Sequence, residues 1–211
     1  MVKKWHKETL ARKTVEALKK NHFQAEYVPS KEEARKRVIE LIADSKTVGI
    51  GGSVTTAEIN ILEDLLKIGK EVLNHSLSTL TPEEKMTIRR RQLTCDCFIS
   101  STNALTMDGK LVNVDGTGNR VSAMIFGPKK VIIVVGANKI VKDLDAAMER
   151  IEMIAAPLNN KRLNFSNPCT QTGVCMDCTG LSRICNITTI LRKKPSQTDI
   201  IVLVVGEELG Y

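Results

Sequence analysis

The sequence predicts a three-layer α/β sandwich built on a mostly parallel sheet, with one antiparallel hairpin. Candidate strands alternate with candidate helices along most of the 211 residues, which is the order that β–α–β units produce. Residues 130–135 form an almost continuous β-branched run, typical of a strand buried on both faces. The turn pair Asp108-Gly109 separates two short apolar runs and predicts the hairpin. The length fits one domain over residues 1–211, beginning with a helical segment over about residues 1–24.

Hydrophobic periodicity and turn residues locate the individual elements. Two helices have clear start signals, because Ser30 stands three residues before Glu33 and Thr81 precedes a proline. Helices are predicted in the first segment, after Ser30, over 55–66, after Thr81, and from 144 to a stop at Pro157. Strands are predicted over 23–28, 47–51, 71–74, 97–101, 104–106, 111–114, 130–135, 187–191 and 200–205.

Composition narrows the classes of partner. The chain carries 31 Lys and Arg against 24 Asp and Glu, and this net charge of +7 favours anionic partners. Aromatic residues are only 3% of the chain, which argues against a base-stacking platform for nucleic acid. The longest apolar run, 131–135, is too short to span a bilayer, and the N-terminus lacks the apolar core of a secretory signal. We therefore expect a cytoplasmic protein with an anionic ligand. Whether the protein forms a homo-oligomer stays open.

The first candidate binding segment is the glycine- and hydroxyl-rich turn after the strand at 47–51. Glycine lets a backbone approach a ligand closely, and amides at the start of a helix favour an anion. We therefore predict that Gly52, Ser53 and Thr55 contact an anionic ligand. The alternative is a tight strand–helix turn in which Thr55 and Glu58 form a capping box.

A second candidate segment combines two Asp-Gly turns with clustered polar side chains. Asn113, Asp115, Asn119 and Arg120 are predicted to form one wall of a carboxylate or phosphate site, with Arg120 as a two-pronged donor. The alternative is a loop in which Asp and Asn cap turns while Arg120 pairs with Asp115.

A third candidate segment follows the buried strand and contains Asn138 and Lys139. Ligands of parallel α/β sheets bind beyond the carboxyl ends of the strands. The turn at 51–53 lies at such an end too, so we expect one shared electropositive pocket with Asn138 and Lys139 at its rim. The histidines have no catalytic motif around them and are interpreted as surface residues: His6, His22 and His75.

Four of the six cysteines lie in a loop predicted over residues 168–186: Cys169, Cys175, Cys178 and Cys185. Four thiolates can hold a zinc ion or an iron–sulfur cluster, with the Cys-x-x-Cys pair as the chelating unit. The outer spacings match neither a zinc ribbon nor a ferredoxin, so a redox-active Cys175/Cys178 pair and free thiols lining a pocket stay open. Cys95 and Cys97 alternate along a predicted strand and point to opposite faces, which argues against a chelate there.

The run TMDGKLVNVDGTGNRVSAMIFGPKKVIIVVGANKIV resembles the LUD family, which is named for lactate utilization and is related to lactate utilization protein C. GIGGSVTTAEI upstream, and PCTQTGVCMDC and RICN downstream, are similar to the short members of that family, so the resemblance covers roughly residues 10–210. It implies a sandwich similar to ribose-phosphate isomerases and coenzyme A transferases. In that group, the loop after an early strand often holds an anionic substrate.

The resemblance also implies a role in lactate-type organic-acid metabolism, beside redox partner proteins of which one carries an iron–sulfur cluster. No flavin or nicotinamide fingerprint is present, so a complete lactate dehydrogenase on this chain alone is not expected. One alternative is a sugar-phosphate isomerase or transferase with Asp108, Asp115 or Glu58 as acid–base. Another is a redox or scaffold subunit whose cysteine tail holds a metal or docks an iron–sulfur partner. Whether the chain is itself an enzyme stays open.

Overall fold

The computed structural model describes residues 2–211, and its ten strands form two sheets. The strands are β1 (Gln24–Val28), β2 (Thr47–Ile50), β3 (Glu71–Asn74), β4 (Cys97–Ser100), β5 (Ala104–Thr106), β6 (Leu111–Asp115), β7 (Lys130–Gly136), β8 (Ile140–Val141), β9 (Ile187–Leu191) and β10 (Asp199–Val205). The α-helices are α1 (Val2–Lys20), α2 (Lys31–Leu41), α3 (Val54–Glu58), α4 (Ile61–Lys67), α5 (Pro82–Gln92), α6 (Asn119–Ile125), α7 (Leu144–Arg150), α8 (Ala156–Arg162) and α9 (Cys169–Thr172). None of these helices is long and apolar enough to cross a membrane.

The central sheet has six strands in the order β1-β10-β7-β4-β2-β3, and every neighbouring pair is parallel. Residues 131–136 of β7 are buried, and the central position of this strand explains why its sequence is apolar throughout. The α/β class and the mostly parallel sheet are therefore confirmed.

The second sheet is mixed and has the order β8-β5-β6-β9. The predicted hairpin is its centre, since β5 and β6 pair antiparallel around Asp108-Gly109. Gly109 has a φ of +83°, and a Cβ there would lie 2.7 Å from the backbone of Ala17. Asn21 also donates from Nδ2 to the Asp108 carbonyl at 2.8 Å, so the hairpin tip is held against the end of α1.

Helices cover both faces of the central sheet. Helices α2 and α4 contribute to one core, and α1 and α6 contribute to the other together with the inner face of the second sheet. Helix α7 and the start of α8 pack on the outer side of that second sheet. Cys95 and Cys97 lie in the two opposite cores, as their alternation predicts.

Two predicted helices differ in the structure. The helix expected over 55–66 is broken into α3 and α4, because Asn60 adopts a left-handed conformation with a φ of +52°. The helix expected to stop at Pro157 continues to Arg162. A π-helical turn over Ile151–Ala155 places Pro157 in the first turn of α8. A proline is tolerated there because the first turn of a helix does not need its backbone N–H.

Candidate functional site

A cleft of about 700 Å³ opens where four neighbouring parallel strands end. The loops after β2, β3, β4 and β7 reach it, which is where ligands bind in open parallel sheets. Its far wall comes from the end of β6, the start of α6, helix α8 and the loop before β9. Six of the nine predicted ligand-binding residues line the cleft: Gly52, Ser53, Asp115, Asn119, Arg120 and Lys139.

The cleft is strongly basic. Within residues 2–211, six Lys and Arg side chains line it against a single Asp or Glu side chain, that of Asp115. The six cationic residues are Lys85, Arg89, Arg120, Lys139, Arg162 and Arg183. Such an excess of one sign in a concave surface attracts ligands of the opposite charge.

Helix α5 supplies two cations to this surface. Neither Lys85 nor Arg89 forms an ion pair with any residue from 2 to 211. Arg89 Nε is buried and has no hydrogen-bond partner among residues 2–211. A buried N–H without an acceptor is costly, so Arg89 has hydrogen-bonding capacity that residues 2–211 do not use.

Arg120 has the opposite character, because its five N–H groups are all used within the protein. Its Nε donates to Asp115 Oδ2 at 3.1 Å. Nη1 donates to Asn113 Oδ1 at 2.7 Å and to the Ser101 carbonyl at 3.3 Å. Nη2 donates to Asn103 Oδ1 at 3.1 Å and to the Val114 carbonyl at 2.9 Å. Arg120 therefore holds the segments of this wall together, and it has no unused N–H donor for the predicted anion contact.

Both carboxylate oxygens of Asp115 likewise accept hydrogen bonds within the protein. Besides Arg120, its carboxylate accepts hydrogen bonds from the Thr117 amide at 3.1 Å and the Gly118 amide at 2.7 Å. The pairing and turn-capping alternative considered for this segment is thus present, although both side chains also face the cleft.

The turn after β2 places Gly52 and Ser53 in the cleft. Ser53 is the N-cap of α3 and accepts from the Thr56 amide at 3.4 Å, so the cap is Ser53 and not Thr55. Since α3 has only five residues, its dipole contributes little to anion binding. Thr55 lies below the surface, where its Oγ1 contacts the Leu209 carbonyl at 3.3 Å.

Two further predicted residues serve the framework and do not line the cleft. Asn113 is buried beneath Arg120. Asn138 holds the C-terminal segment, since its Nδ2 donates to the Gly210 carbonyl and its Oδ1 accepts from the Leu209 amide, both at 3.0 Å.

Lys139 lies at the floor of the cleft and not at its rim. The residue is 3% exposed, and its Nζ donates to Thr55 Oγ1 at 2.8 Å and to Ser101 Oγ at 3.1 Å. Burial first, and then the charges of Arg150 and Arg120, lower the pKa of Lys139 to about 7.

His75 also belongs to the cleft, contrary to its interpretation as a surface residue. It is half-buried, and its Nδ1 lies 3.2 Å from Gln92 Oε1. Burial, together with the neighbouring Arg89 cation, lowers the pKa of His75 and favours the neutral imidazole.

The model of the LUD domain family matches residues 11–205. The chain belongs to the LUD domain family. That family is associated with lactate utilization. The match spans both sheets and all the cleft-lining residues except Tyr211.

One solved structure shows the same fold over nearly the whole chain. The LUD domain aligns with a DUF162 family protein from Deinococcus radiodurans over 94% of this chain and 97% of that one, with a TM-score of 0.56 and 12% identity. A weaker similarity, with a TM-score of 0.35 and 19% identity, covers 53% of this chain and 52% of a ribose 5-phosphate isomerase from Plasmodium falciparum. No curated protein matched the sequence.

The cysteine-rich loop of this LUD domain borders the cleft, with Cys185 in its wall. Within residues 2–211, no group of three or more His, Cys, Asp or Glu side chains is arranged to hold a metal ion. The zinc or iron–sulfur site on Cys169, Cys175, Cys178 and Cys185 therefore stays a prediction. All four are free thiols, and burial raises the pKa of Cys185 to about 11.

The carboxylates named for an isomerase mechanism are poorly placed for it. Asp108 lies in the hairpin turn and pairs with Lys110. Glu58 is exposed outside the cleft and accepts from the Gly210 amide at 2.7 Å. Asp115 faces the cleft, but its oxygens are occupied. Two other titratable side chains of the cleft, Lys139 and His75, have a lowered pKa.

Sequence reasoning missed several cleft residues. His75 and Ser76 follow β3, and the segment 101–103 follows β4, so the strand-end rule already used for two loops would have found them. Lys85, Arg89, Arg162 and Arg183 lie on helices and a loop distant in sequence, and no local signal marks them.

Proposed function

We propose that this LUD-domain protein binds a small anionic metabolite in the cleft and takes part in lactate-type organic-acid metabolism. The observation that carries the proposal is the unpaired, buried Nε of Arg89 beside Lys85, which also forms no ion pair among residues 2–211. A carboxylate or phosphate oxygen would satisfy both groups with charge-assisted hydrogen bonds. The association of the family with lactate utilization supports an organic acid as the metabolite.

The volume and lining of the cleft indicate the size and polarity of the ligand it can hold. A volume of about 700 Å³ lies in the range of cofactor-sized ligands, so a three-carbon acid would fill only part of it. Apolar side chains also line the cleft: Ile151, Ala155, Leu163, Phe165 and Leu181. We infer that the metabolite, or a second molecule bound beside it, carries an apolar portion.

The test is isothermal titration calorimetry with lactate, pyruvate and inorganic phosphate as separate titrants at low ionic strength. We expect at least one of them to bind. Replacing Arg89 with Ala should weaken that binding by about tenfold or more, because a charge-assisted hydrogen bond contributes about 1.5–3 kcal/mol.

Arg90→Ala is the matched control. Arg90 is the next residue of α5, is exposed, and does not line the cleft, so its replacement removes the same charge without removing a contact. We expect a change below about twofold from this variant, since exposed charges are screened. Equal effects of the two replacements, or no binding of any titrant, would contradict the proposed function.

We further propose that the protein works in the cytoplasm with iron–sulfur redox partner proteins, as the family relationship implies. Oxidising lactate needs an electron acceptor, and the sequence contains no nicotinamide or flavin fingerprint. Lactate-dependent reduction of a dye by the purified chain alone would contradict this division of labour.

A further inference from the structure

Lys139 is the cleft residue whose position is least explained by anion binding alone. Its ammonium nitrogen is buried and forms no ion pair with any residue from 2 to 211. Buried cations in proteins are usually matched by a carboxylate. The one carboxylate whose charge acts on it is Glu58, which is exposed and bonded to the Gly210 amide. The amine is therefore not held in place as half of an ion pair.

The surroundings of this nitrogen favour its neutral form. Arg120 and Arg150 place two guanidinium charges near it, and both are fixed by hydrogen bonds to the framework, such as that from Arg150 Nη1 to the Asn103 carbonyl at 2.7 Å. Burial adds to their effect, and the resulting pKa near 7 leaves a large fraction of uncharged amine at neutral pH. Lysines desolvated beside other cations are the ones that act as nucleophiles in proteins.

We propose that Lys139 is a nucleophile that forms an imine with carbonyl compounds carrying an anionic group, of which 2-oxo acids are the simplest class. The proposal rests on the proposed function, because the anion is anchored by Arg89 and Lys85 while the carbonyl carbon faces Nζ. The nitrogen lone pair attacks that carbon to give a carbinolamine. Loss of water then forms the C=N bond, and the departing oxygen takes both amine hydrogens. No oxidant or reductant is needed.

Two hydroxyl groups are positioned to carry protons during this step. Thr55 Oγ1 and Ser101 Oγ lie 2.8 Å and 3.1 Å from Nζ, within the reach of direct proton transfer. Gly210 packs closely against these groups, since a Cβ there would lie 2.5 Å from Thr55 Oγ1 and 3.2 Å from Nζ.

The test is reductive trapping of the full chain with pyruvate and sodium cyanoborohydride at pH 7.5, followed by peptide mass mapping. We expect the reduced adduct, an Nε-(1-carboxyethyl) group, to form on Lys139 about tenfold faster than on Lys142, whose side chain is 85% exposed. Trapping should slow as the pH falls from 8 to 6, because the neutral amine is lost. Acetone, which lacks the carboxylate, should react far more slowly than pyruvate.

Lys139→Met should abolish the selective adduct, while Lys142→Met should leave it unchanged. Because the adduct is mapped on the wild-type chain, the result does not depend on the folding of either variant. Adducts spread over exposed lysines with Lys139 unmodified would overturn the imine proposal. If pyruvate or phosphate still bound in calorimetry, the anion site would stand without it; if neither bound, the proposed function would fail as well.

Discussion

Two arginines of one cleft show how the same residue type takes different roles. Arg120 donates all its N–H groups in hydrogen bonds to Asp115, to two asparagine side chains and to two backbone carbonyls. Arg89 keeps a buried Nε free of partners among residues 2–211. The first arrangement stabilises the wall, and the second leaves a donor without an acceptor, which is the basis of the proposed anion site. The sequence predicted that Arg120 faces the site, but its neighbours decide which role it has.

Replacing Arg120 with Met should destabilise the fold by about 3 kcal/mol, because it strips a partner from the nearly buried Asp115 carboxylate. Urea unfolding measures this loss. Arg91→Met is the control, since Arg91 pairs with Glu71 in a bridge whose two side chains are about half exposed, and such pairs contribute at most about 1 kcal/mol. Similar losses from both variants would show that Arg120 does not hold the wall.

Helix α5 is the element that carries the two unpaired cations, and it is fixed at both ends. At its start, Thr81 and Glu84 exchange hydrogen bonds between side chain and backbone in a capping box. At its end, Gln92 is buried and donates from Nε2 to the Ile50 and Leu73 carbonyls at 2.9 and 2.8 Å. These contacts tie the helix to β2 and β3, so Arg89 is held in a defined position.

Thr81→Ala should therefore cost about 1 kcal/mol of unfolding free energy, the usual value for loss of an N-cap. Thr87→Ala is the control within the same helix, because Thr87 is exposed in the interior, where alanine is the better helix former. Denaturant midpoints of the two variants provide the measurement. A loss at Thr87 as large as that at Thr81 would contradict the capping interpretation.

Elements with strong local signals were predictable from the sequence. The cap at Thr81, the hairpin turn at Asp108-Gly109 and the buried strand β7 each follow from a few adjacent residues. The break at Asn60 was not predictable from periodicity, because the apolar spacing continues through it. The π-helical turn likewise leaves the apolar pattern of α7 intact.

At the scale of the molecule, the parallel sheet gathers loops that are far apart in sequence. The strand-end rule predicted that the turn at 51–53 and Lys139 share a pocket, and the structure brings them together. It did not predict which helices close that pocket. Arg162 and Arg183 reach it through the packing of α8 and the loop before β9, and this tertiary arrangement has no local sequence signature.

The buried Lys139 should make stability depend on pH. Its folded pKa of about 7 lies below the unfolded value of 10.5, so the unfolded chain binds more protons between these values and stability rises with pH there. Between pH 7 and 9 we expect the wild type to gain about 2 kcal/mol relative to Lys139→Met in urea unfolding. The groups that set this shift are Arg150, Arg120 and, in the opposite direction, Glu58.

Comparison with the variant at each pH is the control, because other groups titrate in the same range. Cys95 and Cys185 have pKa values raised to about 11 by burial, and they lower stability as the pH rises above about 9. Their contribution is common to both proteins and cancels. Parallel stability curves for wild type and variant would mean that Lys139 carries an ordinary charge.

The placement of Cys95, just before β4, and of Cys97, its first residue, gives each core its own buried sulfur atom. Both thiols are fully enclosed, so alkylation of either requires a transient opening of the layer that covers it. Pulsed labelling read by mass spectrometry would then time the two openings separately on the unmodified polypeptide. The molecule thus contains a pair of native reporters for whether its halves loosen together or in succession.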